Sequence, residues 1–219
     1  MIRLEAASQK KMRTIMQIGL AVWLALGARM AGAQMTYRFD ASKSSMEIKV
    51  YKAGLFSAFG HDHVVKANDF SGTVNMNAEH IANASVGMRV PVKSLTVVDP
   101  GASASDRQQV QATMQGDAVL DAARYPEISF RSTQVEHAEP EGNGWRVTLT
   151  GVLQLHGTQK PISFPVVVHV AEGELTAQGD ASLLQSDYGI KPIKIAGGAV
   201  KVKNRVRIHF EIHAYAKPS

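Results

Sequence analysis

In the second half of the chain, apolar side chains fall on alternate positions over long runs. Ile128 and Phe130 open the pattern, which continues through Trp145, Val147, Leu149, Gly151, Leu153 and Leu155. Ile162, Phe164, Val166, Val168 and Val170 repeat it, as do Leu175 to Leu183 and Val206 to Ala214 in steps of two. Period two is the mark of a strand with one buried and one wet face. Before residue 100 the runs are shorter: Thr36 to Phe39, then Met46, Ile48 and Val50, then Phe70, Gly72, Val74 and Met76, then Val86, Met88 and Val90. Leu95 and Val97 continue the last of these after a break near Pro91. Turn residues separate the runs at Asp99-Pro100-Gly101, Glu139 to Gly144, Gly157 to Lys160 and Glu172-Gly173.

One stretch follows a different period. Ser105 to Gln115 begins with a capping Ser or Asp and sets Val110 and Met114 one helical turn apart, which predicts a short helix ending at Gly116. Ala118 to Ala123 reads as a second helical turn, stopped before Tyr125-Pro126 because proline disfavours α geometry in the residue before it. The sum is an all-β chain with one or two short helices. About eight one-faced strands joined mostly by short connections favour an antiparallel meander. With no helical layer large enough to cover them, the strands must bury their apolar faces against each other. A closed or nearly closed barrel does this and removes the exposed edges. At eight strands its interior can be packed solid or can hold one ligand.

The N-terminus changes how the charge is read. Lys10, Lys11 and Arg13 precede the apolar run Ile15 to Leu26, and Ala31-Gly32-Ala33 supplies a small-x-small pattern. Residues 1–33 are therefore expected to be a cleaved secretory signal peptide, with Gln34 the first mature residue and 34–219 a single domain. An apolar run of about a dozen residues falls short of the roughly 20 that a membrane anchor needs, so no stable membrane insertion is expected after cleavage. Met12 offers an alternative start. Residues 1–33 hold five of the 24 basic residues and one of the 19 acidic ones, so the remainder carries a net charge of only +1. The basic sequence pI belongs largely to the leader, and an electrostatic argument for nucleic-acid binding fails. The absence of cysteine excludes a disulfide-stapled scaffold, a lipidated cysteine and thiolate chemistry.

Four segments in order resemble the YceI-like family. They are Tyr37-Arg38-Phe39-Asp40 with Ser44; Asp106 to Phe130 with its Tyr125-Pro126-Glu127-Ile128-Ser129-Phe130; Gly151 to Ile162; and Ser186-Asp187-Tyr188-Gly189-Ile190. The resemblance covers nearly the whole mature chain. It implies a lipocalin-like, extended antiparallel eight-stranded barrel, exported to the periplasm, with an elongated apolar cavity that takes a polyisoprenoid or isoprenoid quinone. It implies no catalytic site and no cofactor beyond such a bound lipid. The segment Phe59-Gly60-His61-Asp62-His63 departs from the plainer Gly-x-Phe pattern of many relatives.

The candidate ligand-binding residues are the inward positions Phe70, Val74, Val86, Met88, Phe130, Leu149, Leu153, Phe164, Val166, Val168 and Phe210. Each alone reads as core, but together they supply the apolar lining a prenyl tail requires. His61 and His63, two apart, share a face in extended chain and are the candidate metal ligands, the basis of an alternative metal-binding or redox accessory role. A third ligand is not placed: His156, His169, His209 and His213 alternate with inward positions and belong outside. The same pair could instead contact a quinone head group or form a polar cluster at the barrel mouth. No serine elbow, phosphate loop or convergent carboxylate pair appears, so an enzyme is not expected. The remaining partner is a hydrophobic small molecule, and a homodimer is compatible with the sequence.

Overall fold

The computed structural model describes residues 34–53, 62–77, 80–195 and 200–216; the expected leader and His61 lie outside them. Among these residues the chain forms strands β1 (Met35–Phe39), β2 (Ser45–Ala53), β3 (His63–Ala67), β4 (Ser71–Met76), β5 (Ser85–Pro91) and β6 (Leu95–Val97). The helix α1 (Ala104–Gln115) follows, then β7 (Glu127–Glu141), β8 (Gly144–Leu155), β9 (Thr158–Ala171), β10 (Glu174–Leu184), the short β11 (Lys194–Ile195) and β12 (Val200–Ala216).

These segments make eight walls. β1 and β2 pair with the same edge of β12, through Phe39 opposite Ala214 and Ser45 opposite Glu211, so they are two halves of one strand. β3 and β4 pair with those halves in turn, and β6 and β5 pair with β3 and β4. The walls β7, β8, β9, β10 and β12 continue in chain order, and the β12–β1 pairing closes the ring. The result is the antiparallel eight-stranded barrel the hydrophobic pattern predicts.

Each broken wall has a local cause. Asp40 caps a turn between β1 and β2, accepting through Oδ1 from the Ser42 amide (3.0 Å) and hydroxyl (2.5 Å). Ser44 then reaches across the seam, its Oγ accepting from the His213 amide at 2.9 Å. After Pro91 a 3₁₀ turn, Val92–Ser94, separates β5 from β6, and the Val92 amide donates to the Pro126 carbonyl. His156-Gly157 and Glu172-Gly173 are two-residue hairpin turns with positive φ at both positions, the twist that flanking strands favour.

Helix α1 begins one residue earlier than the pattern suggested. Ser103 is its cap, the Oγ accepting from the Asp106 amide. Val110 and Met114 pack against the core, while Gln111 completes the short edge strand β6. Its Oε1 accepts from the Val97 amide at 2.7 Å and its Nε2 donates to the Leu95 carbonyl at 2.7 Å. The side-chain amide thus stands in for a neighbouring strand's peptide group. The second helical turn expected at Ala118 to Ala123 does not form. Asp121 is left-handed (φ 45°), and the segment folds back as turns bonded to Met114, Gln115 and Gly116 carbonyls.

The outer wall is polar. Met35 is the one exposed large hydrophobic among the described residues, whereas a membrane-spanning barrel needs an apolar outer band. No described helix is long and apolar enough to cross a membrane.

On that outer wall, Glu174 joins β10 to β12 by accepting from His213 Nδ1 (2.7 Å) and the Tyr215 hydroxyl (2.9 Å); Lys43 Nζ donates to the same hydroxyl, and Glu211 lies 3.7 Å from His213 Nε2. The His213 hydrogen bond, followed by that of Tyr215, holds the Glu174 carboxyl below its ordinary value. A depressed carboxyl contributes stability above its unfolded pKa, near 4.3, and that contribution disappears as pH falls through the lower folded value. Acid titration of the melting temperature should therefore drop more steeply below about pH 4 for the wild type than for Glu174→Gln.

Candidate ligand-binding site

The barrel is hollow. A cavity of about 280 Å³ runs inside it, near the lower edge of the roughly 300–1,000 Å³ usual for small-molecule sites. On β8 the lining positions extend from Val147 to Leu155, eight steps or roughly 26 Å along the strand. So small a volume over such a length makes a slot one hydrocarbon chain wide.

Ten of the eleven expected positions line it: Val74, Val86, Met88, Phe130, Leu149, Leu153, Phe164, Val166, Val168 and Phe210. Phe70 does not. It is buried in the core, but it precedes the first β4 ladder pair, Ser71 opposite Arg89, so counting back by twos from Val74 leaves the strand. Sequence periodicity also left out the lining supplied by non-strand segments: Met114 of α1, Val119 and Leu120 of the following turns, and Ile81 and Ala84 at the opposite end. The Val110–Met114 spacing was the one available signal for the helical contribution.

Three phenylalanines on β7, β9 and β12 form a row along the wall of the lumen. Phe164 lies 5.6 Å from Phe130 and 5.8 Å from Phe210, centroid to centroid. Glycines on the strands between give the rings their space. A Cβ on Gly151 would stand 2.5 Å from Phe130 Cζ, and one on Gly179 would stand 2.7 Å from Phe210 Cζ. Phe39 lies over Gly72 in the same manner. The glycines in the alternating runs are thus seats for aromatic rings.

At the α1 end, three of the family-like segments meet. The Tyr125 ring packs on Gly157 and lies 4.8 Å from the His156 ring, while His156 Nδ1 is 3.1 Å from the Tyr188 carbonyl oxygen. Tyr188 is buried, which raises its phenol pKa, and Gly189 ends the 3₁₀ turn Gln185–Tyr188 with φ 74°.

His63 is placed elsewhere, at the start of β3 and outside the cavity lining. Its Nδ1 lies 2.7 Å from Asp99 Oδ2, and Asp99 Oδ1 accepts from the Val64 amide at 2.6 Å. Asp99 is 1% exposed, so this carboxylate ties the ends of β3 and β6 together in a dry setting. Among the described residues no group of three His, Asp or Glu is placed to hold a metal ion. His209 and His213 pair with Asp180 and Glu174 on the outer wall. Asp99→Asn keeps an acceptor for Val64 but removes the charge facing His63, and should cost about 2 kcal/mol in denaturant unfolding. The role of Asp99 was not legible in a turn cluster, because its partners are 35 and 36 residues away.

An antiparallel eight-stranded barrel closed around an apolar slot is an architecture consistent with holding a hydrophobic ligand. The model of the YceI-like domain matches residues 37–214, and the chain belongs to that family. It is 28% identical over 151 residues to a UPF0312 protein of Vibrio parahaemolyticus, covering 69% of this chain and 71% of that one. A UPF0312 protein of Yersinia pestis is 26% identical over 163 residues, covering 72% of each. Among solved structures, Burkholderia cenocepacia BcnA superposes with a TM-score of 0.62 at 21% identity, over 80% of this chain and 98% of that one. The Campylobacter jejuni YceI protein gives 0.55 at 16% identity, over 70% and 85%.

Proposed function

We propose that the protein is an exported, non-catalytic carrier that encloses one long isoprenoid chain, as a polyisoprenoid or an isoprenoid quinone, in the barrel lumen. The observation that carries this reading is the continuous, almost wholly apolar lining of a slot one chain wide. Each methylene moved from water into such a lining contributes roughly 0.8 kcal/mol, so length alone provides affinity. The leader pattern of residues 1–33 supports export, and in a cell with two membranes the destination is the periplasm. No cofactor or metal is required for such a role.

Mass spectrometry of organic extracts from purified mature protein is the direct test. A co-purifying isoprenoid near one equivalent is the expected result. Extracts repeatedly free of isoprenoid, together with no uptake of an added C20 isoprenoid, would sink the carrier reading.

A further inference from the structure

Of the 37 described residues lining the cavity, all but one carry hydrocarbon or thioether side chains; the exception is Gln185. It opens the 3₁₀ turn Gln185–Tyr188 where β10 ends, and it is 7% exposed. Its orientation is determined by one hydrogen bond: Nε2 donates to the Lys203 carbonyl of β12 at 2.9 Å. Since a carbonyl can only accept, the amide nitrogen must face β12, which directs Oε1 away from it. Oε1 has no hydrogen-bond partner among the described residues. It is not sealed off either, because His169 Nδ1 is the sole side-chain N or O among them that is both inaccessible and unpartnered. A buried acceptor left unpaired is unfavourable, and a donor carried in by the ligand would relieve it.

Among the described residues the lining contains no Lys, Arg or His. A phosphate or carboxylate drawn to this position would therefore lose its hydration without gaining a counter-charge. We propose that Gln185 is the specificity-determining residue of the lumen, its Oε1 accepting a hydrogen bond from an uncharged donor at the polar end of the ligand, such as an alcohol, phenol or primary amide. The inference rests on the carrier reading and narrows its ligand class.

The test compares four probes of one chain length on the purified mature protein: geranylgeraniol, its methyl ether, the parent hydrocarbon and geranylgeranyl phosphate. The wild type should bind the alcohol about tenfold more tightly than the ether, the difference of one net hydrogen bond. It should bind the phosphate more weakly than the alcohol. In Gln185→Met, similar in length and apolar, the alcohol and ether should agree within about twofold, with hydrocarbon binding retained as the control for an intact lumen. Equal binding of alcohol and ether by the wild type, or an undiminished preference in Gln185→Met, overturns the role of Gln185 and leaves the carrier reading standing. Failure of the wild type to bind any of the four overturns the carrier reading and this inference with it. Where Gln185→Met does not fold, Gln185→Leu takes its place, and equal binding of alcohol and ether by the wild type overturns the role of Gln185 without any variant.

Discussion

Tryptophan in place of Ala177 should weaken binding of a long apolar chain by more than 100-fold while the barrel stays folded. Ala177 lines the lumen from β10, opposite Val168 of β9 and Ile212 of β12. Its small side chain leaves open space, so an indole there can enter the slot before it meets the wall. A slot one chain wide cannot pass a chain around an indole. If the chain loses room for four methylenes, the loss is about 3 kcal/mol, which exceeds a factor of 100 in affinity. Fluorescence displacement with a C20 isoprenoid measures the affinity, and thermal unfolding monitors the fold. Filling an empty apolar space should leave the melting temperature unchanged or raised. Unchanged affinity in a folded variant would mean that the chain binds somewhere other than the lumen.

Gly151→Ala and Gly179→Ala should each destabilise the barrel by roughly 3 kcal/mol, at the upper end of the usual cost of overpacking a core. The clash involves backbone as well as rings: the new Cβ would lie 2.5 Å from the Arg131 carbonyl oxygen in the first case and 2.6 Å from that of Pro165 in the second. A ring can turn, but a carbonyl held in a ladder can move only if the strands separate. For a domain of this size the melting temperature should fall by roughly 6–12 °C. Gly87→Ala provides the control within the same barrel, since a Cβ there meets nothing within 4 Å. Its effect should be neutral or slightly stabilising, because alanine has less backbone freedom to lose. Equal losses at all three positions would show that the penalty is general to glycine in these strands and unrelated to the Phe130 and Phe210 seats.

The family-like segments acquire physical meaning in three dimensions. Asp40 and Ser44 form the turn and cross-seam bond that let one wall bend between β1 and β2. Tyr125, Gly157 and Tyr188 meet at one end of the barrel, although they are spread over 64 positions of the chain. No local pattern could announce that meeting. The helix was visible through Val110 and Met114, whereas the use of Gln111 as a surrogate strand was not, because a glutamine in a helix looks the same in sequence whatever its amide touches. Asp99 and Gln185 were obscured for the same reason. A polar residue reveals its role through its partners, and theirs lie 18 to 36 positions away.

What the sequence by itself determined is the inward set. Side-chain alternation is a property of the extended backbone and holds wherever the ladder is regular, so ten of the eleven positions counted by twos line the cavity. Phe70 escaped that count where the ladder breaks. What only the tertiary structure decided is that the inward faces do not meet. Whether eight strands enclose a packed core or a slot depends on the summed volume of their side chains against the diameter of the closed ring. Here Gly72, Gly151 and Gly179 occupy inward positions and the phenylalanine rings lie over them against the wall. The middle of the barrel is thereby left open, with Gln185 the single polar side chain lining it among the described residues.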